Sequence, residues 1–218
     1  IQLASTHGRI LQVGQVERFN PAYRAARQQI QHPRYIESAR LAPYTFRSTD
    51  VGVVLDLMIH DIDLTLATVR SEVVDVLAMG AAVIGPHEDI ANARLSFANG
   101  CVANLSASRV SPEACRRMQI FAVSGQTTLD LAAPSAHHVA ISDAVRQQAI
   151  DPANTSLEKQ QELKESFFDD LLPSSELVVP EGNAIRDEHA DLAIAIRTGT
   201  QVQVPGTAGR DALAVAHR

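Results

Sequence analysis

The sequence predicts an α/β fold of the α+β type: a large, mostly antiparallel open sheet with helices packed on one face. Three observations carry that prediction. Between residues 73 and 143, short runs of period-2 character follow one another: VVDVLAMGAAVI, DIANARLSFA, CVANLSASRV, RMQIFAVSG, TTLDLAA and HHVAISDAV. Alternation of that kind is the mark of strands. Asn99-Gly100 sits between two of the runs, and an Asn-Gly pair is the strongest short-range hairpin signal. Upstream, VVLDLMIHDIDLTL (53 to 66) is apolar almost all round, so as a helix it must be buried against something large.

In chain order, IQLASTHGR (1 to 9) ends a helix, with Gly8 as its C-cap. ILQVGQVERF is expected to form a strand, which Asn20-Pro21 breaks. Pro21 suits the first turn of the helix AYRAARQQIQ. RYIESARLA is a second strand. Ser48-Thr49-Asp50 supplies N-cap residues for a central helix over about 50 to 70.

The register of the Asn-Gly hairpin follows from burial. A three-residue loop, Ala98-Asn99-Gly100 with Gly100 left-handed, pairs Phe97 with Cys101. That register aligns Ala93, Leu95 and Phe97 with Cys101, Ala103 and Leu105 on one face. The other face then carries Asn92, Arg94, Ser96, Asn104, Ser106 and Ser108, polar but lightly charged, and is left to water or a partner. Residues 145 to 182 carry the least pattern. Within them Thr155-Ser156-Leu157-Glu158 fits a capping box ahead of a polar helix, LEKQQELKESFF. NAIRDEHADLAIAIRTGT is an amphipathic helix ending near Gly199, and a last helix spans Gly209 to His217.

Composition removes several functions. The net charge is -6 and no Lys/Arg-rich run occurs, which argues against a nucleic-acid partner. No apolar run reaches the length of a membrane span. The two cysteines, Cys101 and Cys115, are too few for a Cys metal site or a disulfide framework, and the expectation is a cytoplasmic protein with free thiols.

The central helix raises the chemical question, because it carries Asp56, His60, Asp61 and Asp63. Buried titratable groups are costly unless something pairs with them. On an α-helix Asp56, His60 and Asp63 share one stripe, while Asp61 lies about 100° away, where it is expected to face solvent. A carboxylate beside an imidazole fixes its tautomer and suits acid–base work near neutral pH. The same residues could instead cap loops, pair with arginines, or bind a divalent ion, although no further ligand set is apparent.

Four segments, VGQVERFNPAY (13 to 23), DVGVVLDLMIHDIDL (50 to 64), DIANARLSFANGCVANLSASR (89 to 109) and NAIRDEHADLAIAIRTGT (183 to 200), resemble the C-terminal domain of the Gfo/Idh/MocA oxidoreductases. The likeness extends to the branch that oxidises the 3-hydroxyl of UDP-N-acetylglucosamine. The resemblance implies a substrate-binding and oligomerisation domain over 16 to 218. Residues 1 to 15 would be the last helix and strand of a Rossmann domain otherwise outside the chain, which would bind most of the NAD or NADP. No G-x-G-x-x-G and no Glu-Lys-Pro occur here. By the same resemblance His60 is the acid/base and Asp56 contacts substrate or orients His60. Arg18, Asn20, Arg47, Asp63 and Arg109 are candidate substrate contacts, the arginines for a diphosphate. Met58 stands where many members have Gly.

The partners implied are a sugar or nucleotide-sugar substrate and a second copy of the chain across the polar sheet face. The rival from another class is a non-catalytic sugar-binding or dimerisation module with no cofactor site. A metal-dependent hydrolase or isomerase built on Asp56, His60 and Asp63 is the third reading.

Overall fold

The computed structural model describes residues 1–218. Eight strands form one sheet in the order β2-β3-β4-β1-β5-β6-β7-β8. They are β1 (Pro33–Leu41), β2 (Val73–Ala81), β3 (Ile90–Phe97), β4 (Val102–Ser108), β5 (Cys115–Ala122), β6 (Gly125–Asp130), β7 (Ser135–Ala140) and β8 (Ser174–Glu176). All neighbours are antiparallel except β1 and β4, which run parallel. The mixed α/β class with a mostly antiparallel sheet is therefore as predicted. The central position of β1 was not visible in the sequence, because β1 is inserted between two strands about seventy residues downstream.

The β3–β4 hairpin takes the three-residue loop. Leu95 stands opposite Ala103 and Ala93 opposite Leu105, the Phe97 N–H donates to the Cys101 carbonyl at 2.9 Å, and Gly100 is left-handed at φ +83°. A side chain at that φ would strain the backbone. Ala93, Leu95, Phe97, Ala103 and Leu105 are all buried, so hydrophobic burial selected the register.

The helical elements are α1 (Gln2–Thr6), α2 (Pro21–Ala26), α3 (Ile59–Val69), α4 (Asp143–Arg146), α5 (Leu157–Glu165), α6 (Ala184–Thr198) and α7 (Gly206–Ala216). α3 lies on β1 and β4, α2 on β6 and β7, and α7 runs along α3. The core forms between these helices and the inner sheet face, from Ile36, Met58, Leu64, Leu105, Met118 and Ile120 among others.

Several expectations are corrected. The segment from Ile10 to Phe19 is not a strand. It makes one bridge, Gln12 to Pro205, then a 3-10 turn over Val16–Phe19. A ladder needs alternating donors, and Pro205 has no N–H to give. The helix at Pro21 stops at Ala26. The N-cap of α5 is Ser156, one residue later than the Thr155 capping box, and α7 starts at Gly206, earlier than Gly209. Within the poorly patterned 145–182 region, β8 joins the sheet edge beside β7. The central helix is not uniform: Val54–Met58 is wound as a π-helix before α3 begins. The Ser48-Thr49-Asp50 cluster does not cap it. The Val54 N–H instead meets the Glu88 carboxylate at 3.3 Å, and Gly52 lies so close to that carboxylate that a Cβ there would overlap it.

Candidate active site

The site is built where the central helix meets the chain entering from the N-terminus. His60 stands half-buried one residue into α3. Its Nδ1 lies 3.3 Å from Gln15 Oε1, and Gln15 is itself buried. With the amide oxygen toward the ring the contact is a hydrogen bond when Nδ1 carries the proton, and Nε2 then keeps its lone pair. The partner expected for His60 was Asp56, but Asp56 makes no side-chain hydrogen bond. The physical reason is the π-wound turn. A wider turn takes Asp56 off the α-helical i, i+4 register with His60. Asp56 is left half-buried and open to an external donor.

The largest departure from the sequence prediction is Asp61. It does not face solvent; it is 1% exposed. Arg40, pointing inward from β1 and 3% exposed, donates through Nε at 3.0 Å and Nη2 at 2.9 Å to the two Asp61 oxygens. Its Nη1 donates to Glu17 Oε1 at 2.8 Å. Glu17 Oε2 accepts from Asn20 Nδ2 at 3.0 Å, which also donates to the Leu131 carbonyl at 2.9 Å. Asn20 Oδ1 takes the Ala22 N–H, capping α2. Asn20 is thus fully engaged within the chain. Glu17, Arg40 and Asp61 form a buried carboxylate–guanidinium–carboxylate triad beneath His60. None of the three was foreseen as part of the site. The only signal was a charge at an inward position of a strand, Arg40 sharing parity with Ile36 and Ser38.

Arg18 and Asp63, expected separately as substrate contacts, are brought together instead. Arg18 donates twice to Asp63, through Nε at 2.6 Å and Nη2 at 2.8 Å. Asp63 is thereby committed to Arg18, while staying near enough to His60 for each charge to act on the other. Arg18 remains on the wall of a cavity of about 630 Å³, shared with Tyr23, Arg27, His32, Thr68 and Arg70. Arg109 is buried and committed elsewhere. It donates to Asp89 at 2.7 Å and to the Ser48 and Val51 carbonyls at 3.0 and 2.8 Å. Arg47 is exposed on the loop that Arg109 holds.

Burial lowers the His60 pKa below its ordinary 6.5, helped by the nearby Arg40 cation and opposed by Glu17, Asp61 and Asp63. The shift favours the neutral ring, the form that can accept a proton. Burial pushes Asp61 and Asp63 upward while their arginines pull the other way. Asp89 is held down at about 2 by the Ile84 N–H, Arg109 and the Val83 N–H.

The His60 shift has a consequence for stability. Between the folded value and 6.5 the unfolded chain binds a proton that the folded chain refuses, so stability rises with pH across that interval and falls as the solution is acidified through it. His138, buried against Thr127 and also lowered by burial, adds a contribution of the same sign. Denaturant titrations from about pH 7.5 to about pH 5.5 are expected to show this decline, and His60→Gln to make it shallower. Equal slopes for the two proteins would mean that His60 titrates as it does in water.

The architecture is thus an open sheet backing a central helix that carries an acid and a half-buried imidazole. The model for the GFO/IDH/MocA C-terminal domain matches residues 12–127, and the chain belongs to that family. It is 47% identical over 122 residues to the UDP-N-acetylglucosamine 3-dehydrogenase of Acidithiobacillus ferrooxidans, a match covering 56% of this chain and 39% of that protein. The crystal structure of that dehydrogenase superposes with a TM-score of 0.82 at 32% identity, over 99% of this chain and 62% of the other. The aldose-aldose oxidoreductase of Caulobacter crescentus shares the fold, with a TM-score of 0.73 at 18% identity, over 99% of this chain and 62% of that one. The chain thus spans less than two thirds of the length of these relatives.

Proposed function

We propose that the protein oxidises a ring hydroxyl of a nucleotide sugar, the 3-hydroxyl of UDP-N-acetylglucosamine, with NAD or NADP. Residues 16 to 218 form its substrate-binding and oligomerisation domain, and residues 1 to 15 belong to the dinucleotide-binding part. The observation that carries this reading is His60: half-buried, its neutral form favoured, with Nδ1 turned to Gln15 and Nε2 free. The identity to a UDP-N-acetylglucosamine 3-dehydrogenase supports the choice of sugar.

A dinucleotide supplies a hydride acceptor. The residues of this chain do not form its phosphate cradle, since no Gly-rich strand–turn–helix occurs among them. What the chain contributes is proton handling and substrate placement. His60 Nε2 takes the hydroxyl proton as the C–H hydride leaves. The imidazolium so formed is favoured by Glu17, Asp61 and Asp63, which all act to raise the ring's basicity. Asp56 accepts from a neighbouring sugar hydroxyl. Arg18 and Asp63, locked to each other, fix the wall beside the ring, Asn20 and Arg109 brace the entering chain and the loop, and Arg47 is the arginine free to meet a phosphate. The test is reduction of NAD or NADP by the whole protein with UDP-N-acetylglucosamine. No reduction with any nucleotide sugar would remove the reading.

The outer sheet face is proposed as the contact with a second copy. Its polar groups are already paired among themselves, with Asn92 to Ser106 at 2.7 Å and Asn104 to Tyr35 at 2.8 Å. Beside them the edge strand β2 exposes Leu77 and Met79. A pre-satisfied polar face with an apolar margin can be covered at little desolvation cost. Sedimentation at micromolar concentration is expected to show a dimer or larger; monomer alone would rule the contact out.

A further inference from the structure

The loop over residues 42–52 leaves the sheet from β1 and returns at the central helix. One foot is two residues beyond Arg40, which is locked to Asp61. The other is four residues before Asp56. Both ends of the loop therefore join segments that carry candidate-site residues. From Arg40 to Phe46 is six residues, at most about 20 Å of extended chain. A tip on that tether can cover the far end of a ligand whose reacting end lies over Asp56 and His60.

Two features of the tip are unusual. Phe46 is 81% exposed, although an aromatic ring of that size is normally buried. Its backbone is left-handed at φ +56°, and Ser48 is left-handed at φ +50°. Non-glycine residues take such angles uncommonly, as His32, Arg70 and Gln148 also do here, and those that do are over-represented at ligand-binding segments.

The surroundings here are identifiable. The Phe46 ring stands edge-to-face with Tyr44, centroids 5.0 Å apart at 88°. Tyr44 in turn carries the Arg109 guanidinium 5.8 Å from its centroid. Arg109 is buried and holds the loop by the Ser48 and Val51 carbonyls. It is itself held by Asp89, whose second oxygen accepts the Val83 and Ile84 N–H groups. The exposed ring is thus the end of an anchored chain of contacts rather than a loose side chain. Arg47, exposed beside it, adds a cation with no carboxylate partner.

We infer that Phe46 and Arg47 form a nucleotide-docking tip: the ring stacks on a nucleobase and the guanidinium meets the diphosphate. This rests on the nucleotide-sugar reading above and adds the residues that would recognise the nucleotide half. A planar ring and an adjacent cation are the pair that binds a base and its phosphates without reading the base edge.

The test is calorimetric titration of the whole protein with UDP, uridine and N-acetylglucosamine, using wild type, Phe46→Ala, Phe46→Tyr and Arg47→Ala. Melting temperatures are measured alongside: equal values for wild type and Phe46→Ala are expected, and a clear fall in Phe46→Ala would place the ring in an interface rather than at a ligand and overturn the inference. Phe46→Ala is expected to weaken UDP and uridine about tenfold, while Phe46→Tyr restores both. Arg47→Ala is expected to weaken UDP and not uridine. Unchanged UDP affinity in Phe46→Ala, or dissociation of an oligomer by that variant, overturns the inference. If wild type oxidises UDP-N-acetylglucosamine and Phe46→Ala leaves its KM unaltered, the inference fails while the functional reading stands. If UDP binds through Phe46 and no sugar is oxidised, the reverse holds.

Discussion

Arg40→Ala is expected to cost the fold about 3–5 kcal/mol, the range for removing one partner of a buried ion pair. Arg40 satisfies three carboxylate oxygens, two on Asp61 and one on Glu17. Both acids are nearly sealed from water, at 1% and 6% exposure. The other partners within reach cannot replace it: Asn20 already serves the second Glu17 oxygen, and the exposed Arg116 lies 3.8 Å from Glu17. Deleting the guanidinium leaves two close carboxylates whose charges repel in a medium that solvates neither. Asp61, already pushed upward by burial and no longer held down by Arg40, then takes up a proton that the unfolded chain does not hold. The loss is therefore largest at neutral pH and shrinks on acidification. Denaturant unfolding of wild type and Arg40→Ala at several pH values measures both the size and the slope. A triple replacement, Glu17→Gln with Arg40→Met and Asp61→Leu, is expected to recover much of the stability, because it removes the charges together and leaves no unpaired amide where Asp61 was. A loss under about 1 kcal/mol for Arg40→Ala would mean that water reaches the triad.

His60→Ala is expected to lower turnover of the whole enzyme about 10²- to 10⁴-fold, the usual contribution of a positioned acid–base group. The ring is half-buried and makes a single hydrogen bond, to Gln15, so the fold should survive its removal. On the proposed mechanism, in which the neutral ring is the base, the wild-type rate rises with pH through the His60 pKa. That inflection lies below 6.5, in the direction set by burial and Arg40, and it should vanish in His60→Ala. Gln15→Leu is a gentler perturbation. It leaves the ring but frees the choice of tautomer, so a fall in kcat with little change in KM is the expected signature of a positioning residue. Turnover in His60→Ala equal to wild type would assign the proton transfer to another group.

Much of the architecture was legible because it rests on short-range rules. The hairpin register followed from Asn99-Gly100 together with the parity of Ala93, Leu95, Phe97, Cys101, Ala103 and Leu105. The end of α6 followed from Gly199, left-handed at φ +70°, whereas its N-cap, Asn183, whose side chain accepts the Arg186 N–H, was not read from the sequence. Each of these depends on residues a few positions apart, or on one two-strand ladder. The strand expected at Ile10 failed for the complementary reason. A strand pattern says what a segment can do, while a ladder needs a neighbour with donors to match.

The sequence by itself determined the class of sheet, the buried central helix and the presence on it of Asp56 and His60. Only the tertiary structure decided what the other charges were for. Asp61 lies 21 positions from Arg40, Glu17 lies 23 positions from Arg40 and Arg18 lies 45 positions from Asp63. In the unfolded chain each is an ordinary solvated ion, and nothing in its neighbourhood marks it as a partner. Packing β1 and the entering turn against α3 seals Glu17, Arg40, Asp61 and Asp63 from water together and leaves only Arg18 partly exposed. From then on each charge is stable only where an opposite charge with matching hydrogen-bond geometry meets it.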